Sequence, residues 1–192
     1  MENVTGKDRI MDSAAKVLRA KGMMATKLSE IAEGAGMLAP SLYYHFKSKD
    51  VIVERVMFEG IYRNTRYILA AVEGKNAGTD PVQRLRTGIR AHVEFLLSDD
   101  DYSSAVARVF PELPEAMKER VLAAYAGFEN CWRDLVVAAL PKDGRIDPRV
   151  ARKFLVAMLD SAPMWYRRGK LKPAQIADQA ADLFLTGYLA EK

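Results

Sequence analysis

Few side chains in this 192-residue chain are equipped for bond-making chemistry. There are two histidines, His45 and His92, and one cysteine, Cys131. No glycine-rich phosphate loop is present, and no residues are spaced as a metal-ligand set. Neither a nucleophile–base pair nor a metal or cofactor is therefore expected, and an enzyme would need one of them. A group of hydrogen-bond donors stands out instead. Residues 26–51 read T-K-L-S-E-I-A-E-G-A-G-M-L-A-P-S-L-Y-Y-H-F-K-S-K-D-V and carry Thr26, Lys27, Ser41, Tyr43, Tyr44, His45 and Lys49. A tyrosine hydroxyl and a lysine ammonium at helix starts are good donors to phosphate. A helix opening just after Ser48 would add its own positive end beside Lys49.

These donors need a scaffold, and the same stretch supplies one. Leu28, Ile31, Ala32 and Ala35 fall on one face of a short helix. Gly36 permits a turn with positive φ. Leu42 and Phe46 lie four apart on the inner face of a second short helix, and Ala32 is small where two helices cross. This is the pattern of a helix-turn-helix, whose second helix enters the major groove of DNA. Thr26 is expected to cap the second helix of the chain through its hydroxyl. The third helix starts at Leu38 or Ala39, with Pro40 tolerated in its first turn. Ser48 caps a fourth that runs to about residue 72, with Val53, Met57, Ile61 and Ile68 along its stripe. A first helix over 7–20 buries Ile10, Ala14, Val17 and Leu18 and ends at Gly22; residues 1–6 read as an arm.

Composition agrees with this picture. Apolar residues make up 49% of the chain, enough for a sizeable core. The net charge is +4, and residues 1–55 hold nine basic against seven acidic side chains, which suits nucleic acid. A single cysteine excludes an internal disulfide. The N-terminus lacks the apolar core of a secretory signal, and the longest apolar runs, 135–140 and 154–159, are too short to span a bilayer. A cytoplasmic location without membrane contact is expected. Beyond a linker at 74–79 the helical period continues: a fifth helix from Asp80 with Leu85, Ile89, His92, Val93 and Leu96 inward, a short sixth over 102–110, and a long seventh carrying Met117, Val121, Tyr125, Phe128, Trp132 and Leu135. Two more span 148–168 and 173–189. The fold class is all-α with about nine helices, divided into a DNA-binding domain at 1–50 and a ligand-binding and dimerisation domain at 51–192.

The order Gly22, Thr26, Ile31-Ala32, Ala35-Gly36, Leu42-Tyr43, His45-Phe46, Lys49-Asp50 resembles the DNA-binding segment of the TetR family of bacterial one-component repressors, over roughly residues 8–52. The resemblance implies a third helix in the major groove, with Leu38, Ala39, Pro40, Ser41 and Tyr44 facing base edges. Tyr43, His45 and Lys49 would contact phosphates, and Thr26 and Lys27 would clamp another. Three departures from the family pattern matter. Met23 stands where an aromatic is common, and Leu38 where a small or hydroxyl residue often caps the third helix. No Arg, Asn or Gln lies between Leu38 and Phe46, so base readout is expected to lean on thymine methyls and on DNA shape.

The resemblance also implies a homodimer through the last two helices, here Ile176, Ala180, Leu183, Phe184, Gly187 and Tyr188, gripping a palindromic double-stranded operator. An apolar effector would enter the bundle of the fifth, seventh and eighth helices. Its candidate contacts are His92, Phe95, Tyr125, Phe128, Trp132, Met158 and Trp165. Its arrival would move the fourth helix and release the DNA. The string W-Y-R-R-G-K-L-K-P-A-Q-I-A-D-Q at 165–179 resembles members tied to fatty-acid and sterol catabolism, which implies an acyl-CoA thioester, with Arg86, Arg90 or Arg133 at the cavity mouth. A multidrug-sensing efflux repressor and a helical interaction module without DNA binding are the alternatives. Cys131 is expected to be buried and inert.

Overall fold

The first helix declares itself earlier than its apolar stripe suggests. Thr5 accepts the Asp8 amide through its hydroxyl while the Asp8 carboxylate accepts the Thr5 amide, a reciprocal capping box that opens α1 (Gly6–Ala25). The computed structural model of the chain describes residues 5–75, 77–141, 144, 146–167 and 169–189. Of the six residues read as an arm, Thr5 and Gly6 thus belong to the helix start, and 1–4 lie outside the described residues. Gly22 does not end α1; it kinks it at φ 76, and one more turn follows.

All regular structure among the described residues is helical, as the periodicity implies. Among the described residues there are ten helices longer than one turn, plus a single α-turn and one 3-10 turn. After α1 come α2 (Leu28–Gly34), α3 (Ala39–His45) and the long α4 (Lys49–Glu73), whose start is capped by Ser48 accepting the Val51 amide. Then follow α5 (Pro81–Leu96), α6 (Asp101–Val109), the 3-10 turn Phe110–Glu112, α7 (Glu115–Ala124), α8 (Ala126–Ala139), α9 (Pro148–Asp160), the single turn α10 (Ala162–Trp165) and α11 (Pro173–Leu189).

The extra segments arise where two expected helices break. The long seventh helix stops at Tyr125, whose ψ of −5° closes α7, and restarts as α8. Gly127, a weak helix former, follows just after the break, in the first turn of α8. The eighth ends at Asp160, because Pro163 offers no amide proton to continue the ladder into α10. The acids at 99–101 follow α5 and lead into α6. Asp100 caps the start of α6 by accepting the Ser103 amide, where a negative charge suits the helix dipole.

The helices form two compact units. The first comprises Met1–Tyr62 with Asp99–Tyr125. In it α1 packs on α2 and α6, and α2 on α3, around Ile10, Ala14, Leu18, Ile31, Leu42, Ile52, Val56, Met57, Ala105 and Val121, all buried. Gly60 lets α4 lie close to α6, since a Cβ there would come within 3.0 Å of the Tyr102 carbonyl. Polar ties reinforce the contact with α1: the Tyr102 hydroxyl donates to Asp12 at 2.8 Å, and Arg19 reaches Asp101 at 2.9 Å. The second unit comprises Arg63–Ser98 with Ala126–Lys192. Here α5 packs on α8, α9 and α11, burying Leu85, Ile89, Val93, Trp132, Val136, Leu155, Leu159, Ala177 and Leu185. The chain segment 99–125 thus packs with the N-terminal helices.

Two glycines give opposite expectations. Gly36 has φ 66 with nothing closer to a built Cβ than the Arg9 Nη1 at 4.0 Å, so Gly36→Ala carries only the backbone penalty of about 1 kcal/mol. Gly127 is helical with open space around it, and Gly127→Ala should stabilise by up to ~1 kcal/mol. Urea unfolding should show the midpoint falling for the first variant and rising for the second.

Candidate functional site

The helix-turn-helix is built by a defined chain reversal. At the end of α2 the Met37 amide donates to the Ala32 carbonyl and the Gly36 amide to the Glu33 carbonyl, both at 2.9 Å. With Gly36 in the left-handed region this is a Schellman termination. It delivers the chain into α3, a helix of seven residues. Leu42 and Phe46 face inward and are buried. The residues between and before them face out: Leu38 is 77% exposed, Tyr43 60% and Tyr44 89%. Pro40, Ser41 and His45 are exposed as well, and Ala39 is half-buried. The rings of Tyr44 and His45 meet edge-on at 5.2 Å. The Lys7 ammonium sits 5.8 Å from the centroid of the Phe46 ring.

The start of α2 differs from expectation. Lys27, not Thr26, holds the N-cap position, and the Glu30 carboxylate accepts its amide at 3.2 Å. Thr26 is buried and its hydroxyl donates back to the Gly22 carbonyl at 2.5 Å, so that hydrogen is committed within the fold. Glu30 also takes the Lys21 ammonium. That hydrogen bond first, and the Lys27 amide second, hold its carboxyl below the usual range. Lys27 itself is exposed. Lys49, at the start of α4, is half-buried and donates to the carbonyls of Met23 at 3.1 Å and Thr26 at 3.2 Å. An ammonium has three protons, so two are used internally.

In the second unit a buried histidine meets two polar partners and two aromatic rings. His92 is fully buried. Its Nε2 lies 3.0 Å from Asp160 and its Nδ1 3.0 Å from the Asn64 side-chain nitrogen. The neutral tautomer that donates from Nε2 to Asp160 and accepts at Nδ1 from Asn64 satisfies both contacts. The His92 ring is 5.5 Å from Phe128 and 5.4 Å from Trp132. Trp132 is fully buried, and its indole N–H has no hydrogen-bond acceptor among the described residues. A separate groove of about 220 Å3 is lined by Leu69, Val72, Glu73, Arg84, Cys131 and Asp134 among others. It is smaller than a typical pocket for an organic ligand, and none of the expected effector contacts lines it.

The sequence profile described as "Bacterial regulatory proteins, tetR family" matches residues 10–56, and that described as "Tetracyclin repressor-like, C-terminal domain" matches residues 78–188. The chain belongs to the TetR family. It is 34% identical to the HTH-type transcriptional repressor KstR2 of Mycolicibacterium smegmatis, over 94% of this chain and 89% of that one. Among solved structures, the fatty acid degradation regulator FadR from Bacillus halodurans superposes with a TM-score of 0.82 at 19% identity, covering 97% of this chain and 98% of that one. AibR, solved in complex with isovaleryl coenzyme A and operator DNA, superposes at 0.79 and 20% identity, covering 93% and 97%. The family membership makes the chain a DNA-binding transcriptional regulator rather than an enzyme. No described helix is long and apolar enough to cross a membrane.

For this TetR-family chain the structure gathers only part of the expected effector set. His92, Phe128 and Trp132 come together as a buried trio; Phe95 and Met158 are half-buried on α5 and α9. Tyr125 belongs to the first unit, against Phe110, because the helix that was to carry it beside Phe128 breaks there. Trp165 is largely exposed on α10 and donates to the Ser161 hydroxyl. The arginines expected at a cavity mouth are already paired: Arg86 with Asp182, Arg90 with Asp178, and Arg133 with Asp134 and Asn130. On α11 the inner stripe is Ile176, Ala177, Ala181 and Leu185, so Ile176 faces its own core and not outward. Leu183 is 70% exposed, Gly187 is exposed, and Ala180 and Phe184 are half-buried; the Tyr188 side chain lies outside the described residues. Sequence reading overlooked Phe154, 72% exposed on α9, with Val150 one turn before it and Met164 on α10. The spacing of Val150 and Phe154 was a usable signal; Asn64 and Asp160, as partners of a distant histidine, left none.

Cys131 is buried, and burial, reinforced by the Asp134 and Glu73 carboxylates, pushes its thiol up to about 11. The thiol is therefore protonated at neutral pH, and the thiolate is the reactive form. Ellman's reagent at pH 7.5 should react slowly with the native protein and fast in guanidinium. Comparable rates in both states would show an open, ionised thiol.

Proposed function

We propose that this chain is an effector-released transcriptional repressor acting as a homodimer, with residues 1–50 as its DNA-binding part and 51–192 as its sensing and dimerising part. The carrying observation is the two-sidedness of α3. Leu42 is buried, yet its neighbours Tyr43 and Tyr44 project outward beside Leu38. In a major groove Leu38, Ala39, Pro40, Ser41 and Tyr44 meet base edges, with apolar contacts to thymine methyls in place of bidentate readers. Tyr43, His45, Lys27 and the third proton of Lys49 contact phosphates. Thr26 contributes by shaping the turn before α2. The likeness to KstR2, a repressor, supports the direction of regulation.

The dimer face we assign is the exposed apolar surface of α9 and α11, centred on Phe154 and Leu183. Large apolar side chains this exposed on two helices that pack together are candidates for burial against a partner. Because Phe154 is solvent-facing within the protomer, Phe154→Glu leaves the fold intact but would place an unpaired carboxylate in the interface. Sedimentation should show monomer at low micromolar concentration, together with loss of operator binding. A variant that stays dimeric would move the interface elsewhere.

The effector we propose is an acyl-CoA thioester, with His92, Phe128 and Trp132 taking the acyl end. Support comes from the isovaleryl coenzyme A held by AibR and from the orphan indole N–H of Trp132, which a thioester carbonyl can accept. The effector releases DNA only by binding the unfit state better. Since α4 is one helix from Lys49 to Glu73, displacement along its C-terminal half is carried to its DNA end. Acyl-CoAs of increasing chain length, free fatty acids and cationic drugs should be titrated against operator-bound protein by anisotropy. Acyl-CoA alone should release DNA, and Trp132→Phe, which keeps an aromatic ring but loses the N–H, should need about tenfold more of it. Release by the cationic drugs alone would favour an efflux repressor.

A further inference from the structure

The turn that joins α1 to α2 is held from both sides by opposite charges. Gly22 breaks α1, so the amides of Met23 and Met24 leave the helical ladder. Both are taken by one carboxylate oxygen of Glu112, at 2.7 and 3.1 Å, reaching in from the 3-10 turn. The fit is close: a Cβ at Gly22 would overlap the Glu112 carboxylate. The carbonyls of the same turn go the other way. Met23 and Thr26 both accept from the Lys49 ammonium, and Gly22 accepts from the Thr26 hydroxyl. Glu112, Met23 and Lys49 all belong to the first compact unit.

We infer that Glu112 is a positioning residue for DNA binding, acting through this turn on Lys49. The Met24 amide shares a peptide plane with the Met23 carbonyl, so fixing it orients that acceptor directly. The Met23 amide shares one with the Gly22 carbonyl, which holds the Thr26 hydroxyl and through that residue the second acceptor. Two carbonyls hold two of the three N–H groups, so the third is committed in direction before a phosphate arrives. Lysine otherwise carries its charge on a flexible four-carbon stem, and ordering that stem opposes binding. The inference rests on the reading of Lys49 as a phosphate ligand.

The test uses the whole 192-residue chain and a labelled mixed-sequence duplex, followed by anisotropy over a series of salt concentrations. Lys49→Ala should lower the slope of log affinity against log salt by about 1. Glu112→Ala should weaken binding about three- to tenfold and lower the slope by a fraction of that unit. Glu112→Gln, whose amide oxygen still accepts both amides, should recover most of the loss. In the double variant, Glu112→Ala should add nothing to Lys49→Ala. A purely structural role would lower the melting temperature and the active fraction but leave the slope of the folded protein unchanged. Should Glu112→Ala fold poorly, Glu112→Asp, which keeps the charge but is one methylene too short, should show the same fall in slope. A wild-type slope in the Ala or Asp variant, or full additivity in the double variant, overturns the inference alone. A wild-type slope in Lys49→Ala overturns the reading of Lys49 and this inference with it.

Discussion

A helix of seven residues has no stability of its own in water; the cost of its first turn is never recovered over so short a length. That constraint governs the N-terminal unit. α3 exists because Leu42 and Phe46 are buried against the other helices, each worth roughly 1.5–3 kcal/mol of burial. Two anchors one turn apart also fix the rotation of the helix about its axis. The outward direction of Tyr43, Tyr44 and Leu38 is therefore a by-product of what is packed behind them. The Schellman turn at Gly36 and the capping of α2 and α4 are the devices that bring these anchors to their sockets.

The legible parts of the sequence are those decided locally. The helix-turn-helix could be read because its glycine, its i, i+4 apolar pair and its donors fall within about two dozen residues. Ser48 as a cap is visible for the same reason. Thr5 and Asp8 have the spacing of a capping box, but residues 1–6 carry no apolar stripe to mark a helix start. Thr26 shows the limit of cap rules: its hydroxyl can accept an amide or donate to a carbonyl, and the kink at Gly22 places a free carbonyl in reach.

What was not legible depends on separation along the chain. Tyr125 and Phe128 share a helical face only if the helix continues between them, and it breaks. The same holds for charged partners. Arg86 and Arg90 looked available to a ligand, but Asp182 and Asp178 lie some ninety residues away in sequence. The burial of His92 was implied by its place on the α5 stripe. The acceptor and donor that make such burial tolerable, Asp160 and Asn64, come from two other helices and could not be inferred.

The pairing of α5 with α11 has a mechanical side. Arg86 meets Asp182 and Arg90 meets Asp178, so two rungs with the same four-residue pitch run in opposite directions along the two helices. Each pair is partly exposed and by itself adds little stability. Their spacing nevertheless marks a register. If α11 slides by one helical turn, about 5.4 Å, one arginine meets the other's aspartate and a single rung re-forms; at half a turn neither does. The two pairs thus favour one register between these helices, and high salt would weaken that preference without dissolving the packing beneath it.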